Sequence, residues 1–310
     1  MRSGRRVAVV MPARNEEQLI EAAIYSVPKW VDLLVVIDDG SRDNTYSLAK
    51  SALTENGLIV RTQGLGVGGA IARGYEEIIS MIDDNSIPSG DWAAVVMAGD
   101  GQMDPVDIES LLEPLSRVPF VKGNRWAHQD GLGNMPKNRR IGSWLLGKLT
   151  TVASGRKVSD PQCGYTAVSI DELRKWDWVS NWEGYGYPNW WLLNIGKHSI
   201  PFESVPVRSV YRNEKSGIKV PLFLTKISIL LFSGLWKRGW DWYVCGEGKT
   251  PIASRLAVST TWFSSLLILL LIPAIVLLKT DLLWIFFSLI GFLLLTYYID
   301  QSEVQRRLKL

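Results

Sequence analysis

The sequence predicts a mostly parallel, doubly wound α/β domain followed by membrane helices, and three observations support that prediction. Over roughly the first two hundred residues, short apolar strand-like runs alternate with helical patterns. That alternation marks a parallel sheet with helices on both faces. The polar residues of this region gather in the segments after the strands, where such sheets bind their ligands. Beyond it, almost every residue from Val258 to Tyr298 is apolar or small.

The elements follow in order. Arg6 to Met11 reads as a strand and Glu16 to Val27 as a helix. Leu33 to Ile37 is the second strand, with a helix beginning near Asn44. Leu58 to Arg61 is a short third strand, and a helix runs from Gly68 to Met81. Trp92 to Met97 is the fourth strand, after which Asp104-Pro105 places a cap and an N1 proline before the next helix. Phe120 to Lys122 is the fifth strand.

Polar loops close these strands: Pro12 to Glu17, Asp38 to Thr45, Ala98 to Pro105 and Gly123 to Arg125. Four such loops converging on one sheet edge predict a site. Gly64-Leu65-Gly66-Val67-Gly68-Gly69 matches the G-x-G-x-x-G fingerprint formally. It follows the third strand rather than the first, and no acidic residue closes a strand about 20 positions later. A glycine-lined turn packed close to a nucleotide is the better reading.

Composition narrows the class. With 21% charged residues and a net charge of +3, the chain is neither a disordered tail nor a dedicated nucleic-acid binder. Two cysteines cannot build a disulfide framework and point to a reducing compartment. Two histidines make a poor basis for a zinc site. A soluble extracellular protein is excluded.

Thr261 to Leu278 and Leu282 to Tyr298 are uncharged runs of about 18 and 17 residues, enough to span a bilayer. Val7 to Met11 is too short for a signal h-region. Lys237, Arg238, Lys249 and Arg255 precede the spans and Arg306, Arg307 and Lys309 follow them, against Lys279 alone between. The positive-inside bias therefore predicts a multi-pass protein of the cell membrane or an endomembrane, with its large domain and C-terminus cytosolic. Ile218 to Val244 is apolar but broken by charges beside Trp236, Trp240 and Trp242. It reads as one or two helices lying in the interface plane, with a packing helix as the alternative. The expected divisions are 1–217, 218–257, 258–300 and a basic tail at 301–310.

Taken together, MPARNEE (11–17), DDGSRDNT (38–45), GDGQMDP (99–105), GNR (123–125), DPQCGYTAV (160–168) and YRNEKSGIK (211–219) resemble family 2 of the GT-A glycosyltransferases. They look most like its polyprenyl-phosphate branch, which includes dolichol-phosphate mannose synthase and bactoprenol glucosyltransferases. The resemblance implies a GT-A fold and a nucleotide-sugar donor, UDP- or GDP-linked. It also implies a polyprenyl or dolichyl phosphate acceptor in a lipid bilayer, Mg²⁺ or Mn²⁺, and no nucleic acid; a homo-oligomer is compatible with it. Pro12, Ala13, Asn15, Glu17 and Gly69 would line the nucleotide pocket, and Asp39 would hold the base or ribose. Asp100 and Gln102 would face the metal. Arg125, with Arg139 or Arg140, would meet the acceptor phosphate. Arg212 and Lys219 would close over the donor diphosphate, and Asp160 would lie near the sugar. The plainer alternatives are a cap at Asp39, a turn residue at Asp160 and surface charge at Arg139 and Lys219. The family usually writes D-x-D where this chain has Ala98-Gly99-Asp100, so the first carboxylate is missing.

The implied reaction needs little proton transfer. A polyprenyl phosphate oxygen is already anionic, so positioning and charge compensation carry the catalysis. Single displacement would invert the sugar's anomeric configuration. Two alternatives stand beside this reading. A processive polysaccharide synthase would carry Q-x-x-R-W and more spans. A catalytically silent membrane relative would only bind nucleotide or lipid.

Overall fold

The computed structural model describes residues 4–130, 132, 135, 137–177, 179, 181–182, 184–210, 220–247, 250–277 and 282–309. Its strands are β1 (Arg6–Ala13), β2 (Leu33–Asp38), β3 (Gly57–Arg61), β4 (Trp92–Val96), β5 (Phe120–Asn124), β6 (Thr166–Ser169) and β7 (Phe202–Pro206). They form one sheet in the order β3-β2-β1-β4-β6-β5-β7. β1 pairs in parallel with both β2 and β4, β2 with β3, and β5 with β7. β6 is antiparallel to β4 and β5, so the sheet is mixed although mostly parallel. The five predicted strands are present, within two residues at each end.

Two-residue periodicity sorts the strand side chains onto two faces. Val7, Val9, Met11, Val36, Val95 and Met97 enter one core. That core is covered by α1 (Ile20–Ser26), α2 (Thr45–Ala52) and α4 (Ile108–Leu112). Ala8, Val10, Val35, Ile37, Ala94 and Val96 enter the other. There they meet α3 (Gly66–Asp83), α6 (Ile170–Leu173) and α7 (Tyr187–Lys197). Both faces are buried, which is why the strands read as continuous apolar runs. The first helix begins at Ile20 and not at Glu16: residues 17–19 form a turn, whose Leu19 and Ile20 N–H groups both donate to the Glu16 carbonyl at 2.9 Å.

α5 (Lys137–Ser154) and α8 (Val220–Gly239) lie beside this domain. Leu146 and Ala153 of α5, Leu193 of α7, and Ile227, Leu230 and Leu231 of α8 share one core. A π-helical turn, Trp240–Cys245, leads to α9 (Ile252–Leu277) and α10 (Leu282–Arg307). The last two helices are 26 residues each, about 39 Å at 1.5 Å per residue. They contain two candidate membrane spans, Ile252–Leu271 and Leu283–Arg307, and few of the side chains in each are buried. The Thr296 hydroxyl donates to the Thr261 hydroxyl at 2.6 Å, joining the pair in a way suited to lipid surroundings. Helix α10 runs on to Arg307 where the sequence suggested a separate tail, because Val304 packs with Trp242, Tyr243 and Val258.

Candidate active site

The antiparallel course of β6 decides where the site forms. Thr166, its first residue, stands level with Val96 at the end of β4 and with Lys122 near the end of β5. The segment 160–165 is therefore delivered to the same edge as the carboxyl ends of β1, β2, β4, β5 and β7. The order of the strands reverses between β1 and β4, where open α/β sheets bind ligands. The crevice starts at Pro12 and Ala13, whose carbonyls accept from the Gly99 N–H at 3.0 Å and the Asp39 N–H at 2.9 Å.

The first two loops are laced together. Asn15 has a left-handed backbone (φ 56°). Its N–H donates to the Ser41 hydroxyl and its side-chain oxygen accepts from the Arg42 N–H, both at 2.9 Å. The Glu16 N–H donates to the Thr45 hydroxyl at 2.7 Å. The Glu17 carboxylate accepts from the Asn44 N–H at 3.2 Å and from its side-chain amide at 3.3 Å. Burial opposes the charge of Asp43. Hydrogen bonds from the side chain and backbone of Thr45 and from the backbone of Glu17 outweigh it and hold the carboxyl below its usual range. Asn15 and Glu17 thus build the rim of the pocket by holding its loops.

Asp39 is buried and organises the glycine-rich turn. Its carboxylate accepts from the Thr62 hydroxyl at 2.7 Å, the Leu65 N–H at 2.6 Å and the Gly66 N–H at 2.8 Å. Arg14 lies 3.6 Å away on the solvent side. The carboxylate thereby caps the first N–H groups of α3, the place where a dinucleotide pyrophosphate would need to sit. Gly64 and Gly66 adopt positive φ, 84° and 80°. Gly69 is buried inside the first turn of α3. The close approach belongs to Gly68, where an added Cβ would fall 2.1 Å from the Trp182 carbonyl oxygen.

Asp100 follows β4, half-buried, and one of its oxygens accepts from the Gln102 N–H at 3.0 Å. Gly99 leaves room for Ile20 and Ala13, and Gly101 takes φ 67°. Asp104 caps the turn Pro105–Asp107 by accepting from the Val106 N–H at 3.1 Å. The Gln102 carbonyl accepts from the Val210 N–H at 2.9 Å, which ties this loop to the segment after β7. Among the described residues no group of three His, Cys, Asp or Glu side chains could hold a metal by itself.

Arg125 and Asp160, which the resemblance gives to different substrates, form an ion pair whose carboxylate is buried and whose guanidinium is partly buried. Arg125 Nε lies 2.7 Å from Asp160 Oδ2 and Nη2 lies 2.8 Å from Oδ1. The Arg125 N–H adds a third bond at 3.0 Å. Burial pushes the Asp160 carboxyl upward, but Arg125 and then Lys122 overcome it and hold the group below its usual value. Lys122 is the site residue that the sequence reading missed. It is fully buried in β5, and its ammonium donates to the Cys163 carbonyl beneath the pair. Burial lowers its proton affinity. A lysine in a strand gives no sequence signal of burial.

Helix α5 borders the site on its other flank. Gln162 hydrogen-bonds the buried Asn189 of α7, which donates to the Thr150 hydroxyl of α5 at 2.7 Å. Arg140, near the start of α5, donates to the Met135 carbonyl at 3.0 Å. The Arg139 side chain, Arg212 and Lys219 lie outside the described residues. Ile141, Trp144, Leu145, Leu149 and Val152 form an exposed apolar row along α5.

An α/β sheet of this order, with its polar loops at the switch point and an antiparallel sixth strand, is a GT-A-type fold. Residues 8–175 match the model of glycosyl transferase family 2, and the chain belongs to that family. Among its relatives is the UDP-N-acetylglucosamine–dolichyl-phosphate N-acetylglucosaminyltransferase of Methanococcus voltae. It is 26% identical over 66% of this chain and 86% of the relative. The undecaprenyl-phosphate mannosyltransferase of Micrococcus luteus is 28% identical over 67% of this chain and 84% of that one. The fold also matches the crystal structure of glucosyl-3-phosphoglycerate synthase from Mycobacterium tuberculosis in complex with Mn²⁺, uridine diphosphate and phosphoglyceric acid. The TM-score is 0.55 at 22% identity, covering 76% of this chain and 79% of that one.

Proposed function

We propose that this membrane protein transfers a single sugar from a nucleoside-diphosphate donor to a polyprenyl or dolichyl phosphate, with inversion, on the cytosolic side of the membrane. The observation that carries the reading is the join between site and lipid surface. The site edge adjoins α5, whose outer row is apolar, and α5 packs on α8, which leads into the candidate spans. The names of the two relatives describe transfer to lipid phosphates and agree with it.

The nucleotide would occupy the crevice over Pro12 and Ala13, bounded by the Asn15–Glu17 rim and the turn that Asp39 orders. Asp100 and Gln102 offer oxygen atoms suited to Mg²⁺ or Mn²⁺, with the remaining ligands arriving on the donor diphosphate. Such a cation, when bound, would offset charge on the departing diphosphate. Arg140, together with Arg139 and with Arg125 in the grip of Asp160, would compensate the acceptor phosphate. Arg212 and Lys219 would contact the donor diphosphate. A lipid-phosphate oxygen attacks the anomeric carbon while the bond to the diphosphate breaks, its electron pair leaving with the nucleoside diphosphate. The acceptor oxygen brings its own charge, so no side chain has to remove a proton.

The test is full-length protein in nanodiscs with polyprenyl phosphate and a panel of UDP- and GDP-sugars, with lipid products read by mass spectrometry. A lipid-linked monosaccharide is expected with at least one donor. Polymer would favour a processive synthase. Nucleotide binding without transfer would support the silent relative that Ala98 brings to mind.

A further inference from the structure

The junction between the site-bearing helices and the candidate spans is closed by one buried ion pair. Arg238, at the end of α8, is 2% exposed, and Asp300 of α10 is 8% exposed. Nη1 and Nη2 of Arg238 meet the two Asp300 oxygens at 2.7 and 2.9 Å. The Tyr243 hydroxyl donates to Asp300 at 2.8 Å. The same guanidinium donates to the carbonyls of Ala153 at 3.1 Å and Val152 at 3.3 Å, in the last turn of α5.

Those carbonyls belong to a helix C-terminus, which leaves acceptors unpaired and favours a cation. α5 has no basic residue in its own last turn. Arg238 supplies the cation from another helix and binds the span with its remaining donors. Gly155, just past α5, has φ +72°, and an added Cβ would fall 2.9 Å from both Arg238 and Val304. The chain stops there in the one residue type that lets guanidinium and span approach together.

We propose that Arg238 and Asp300 are positioning residues. They fasten the far end of α5 to α10 and so set where its Arg140 end stands relative to the lipid. The proposal rests on the acceptor reading above. α5 is 18 residues long, about 27 Å, so an angular change at Ser154 is carried to the opposite end. A buried pair adds little net stability compared with apolar packing, and fixing one register is its best-attested use. Misplacing a reacting group by about 1 Å can cost a hundredfold in rate.

The experiment compares two acceptors with full-length protein: a long-chain polyprenyl phosphate embedded in nanodiscs, and a short, water-soluble prenyl phosphate. Asp300→Asn and Arg238→Met should lower kcat/KM for the embedded acceptor roughly tenfold or more, with the soluble acceptor changed less than about twofold. If Asp300→Asn does not fold, Asp300→Glu carries the same comparison, since it keeps the charge and lengthens the arm. Equal losses on both acceptors would make the pair a general support of the domain and overturn the proposal. No loss on either would overturn it too. Wild-type protein inert toward both acceptors would instead strike the acceptor reading itself, and the positioning role with it.

Discussion

Asp160 receives three hydrogen bonds from Arg125, two from the guanidinium and one from its backbone N–H, across 35 residues of sequence. The pair joins the end of β5 to the turn before β6, so the polar floor of the site is held by a charge interaction that must survive for the loops to meet. Asp160→Asn would leave the Arg125 cation poorly compensated and should cost about 3–5 kcal/mol in denaturant unfolding. The carboxyl's folded pKa lies below its ordinary 3.8. The folded state therefore binds fewer protons than the unfolded state between those two values. Its contribution is complete above the unfolded pKa and is lost as pH falls below that value and through the folded one. Melts of Asp160→Asn should lack that component of the acid limb, and an unchanged limb would refute the assignment.

Asp100 is the carboxylate at the end of β4 in the position of the family's metal motif. Asp100→Asn should leave the fold intact and lower transfer by roughly a hundredfold or more, and excess chelator should do the same to the wild type. Ala98→Asp should be tolerated and tighten Mn²⁺ binding in the presence of nucleotide. Full turnover in Asp100→Asn, or in chelator, would remove the cation from the mechanism.

Gly68 sits against the Trp182 carbonyl, whereas an added Cβ at Gly142 on α5 would meet nothing within 4 Å. Gly68→Ala should destabilise by about 1–3 kcal/mol. Gly142→Ala should be neutral or stabilise by up to about 1 kcal/mol. Thermal melts of the two variants compare them directly. Equal midpoints would mean that the turn can shift freely.

Trp144 and Leu145 project from α5 with 54% and 51% exposure, and the Lys148 ammonium lies 5.7 Å from the Trp144 ring centroid. Apolar rings with a charged neighbour reaching past them suit a lipid interface. A polarity-sensitive dye on Trp144→Cys should shift to the blue when the protein passes from detergent into nanodiscs of anionic lipid. An emission typical of water in nanodiscs would remove this row from the membrane face.

The strands and their loops were legible because burial on both sheet faces writes long apolar runs, and polar residues interrupt them at one end. β6 was not, since four residues from Thr166 to Ser169 carry no period and their direction depends on partners elsewhere. Asp39, Asp100 and Arg125 stood out as charged residues in loops that follow strands. Their partners did not: the N–H groups of Leu65 and Gly66 and the carboxylate of Asp160 come together only through the fold. Lys122 gave no signal, and Arg238 read as one more basic residue near a span until Asp300 was seen beside it.

The way α10 returns to the domain affects how a water-soluble enzyme can be prepared. Truncation after α8 would remove the apolar hairpin and keep every loop of the site. It would also delete Asp300, Tyr243 and Val304, leaving the guanidinium of Arg238 in the hollow beside Gly155 without its counterion. A shortened enzyme would need Arg238 replaced by an apolar side chain, or the last turns of α10 grafted back, before its behaviour could be compared with that of the full-length chain.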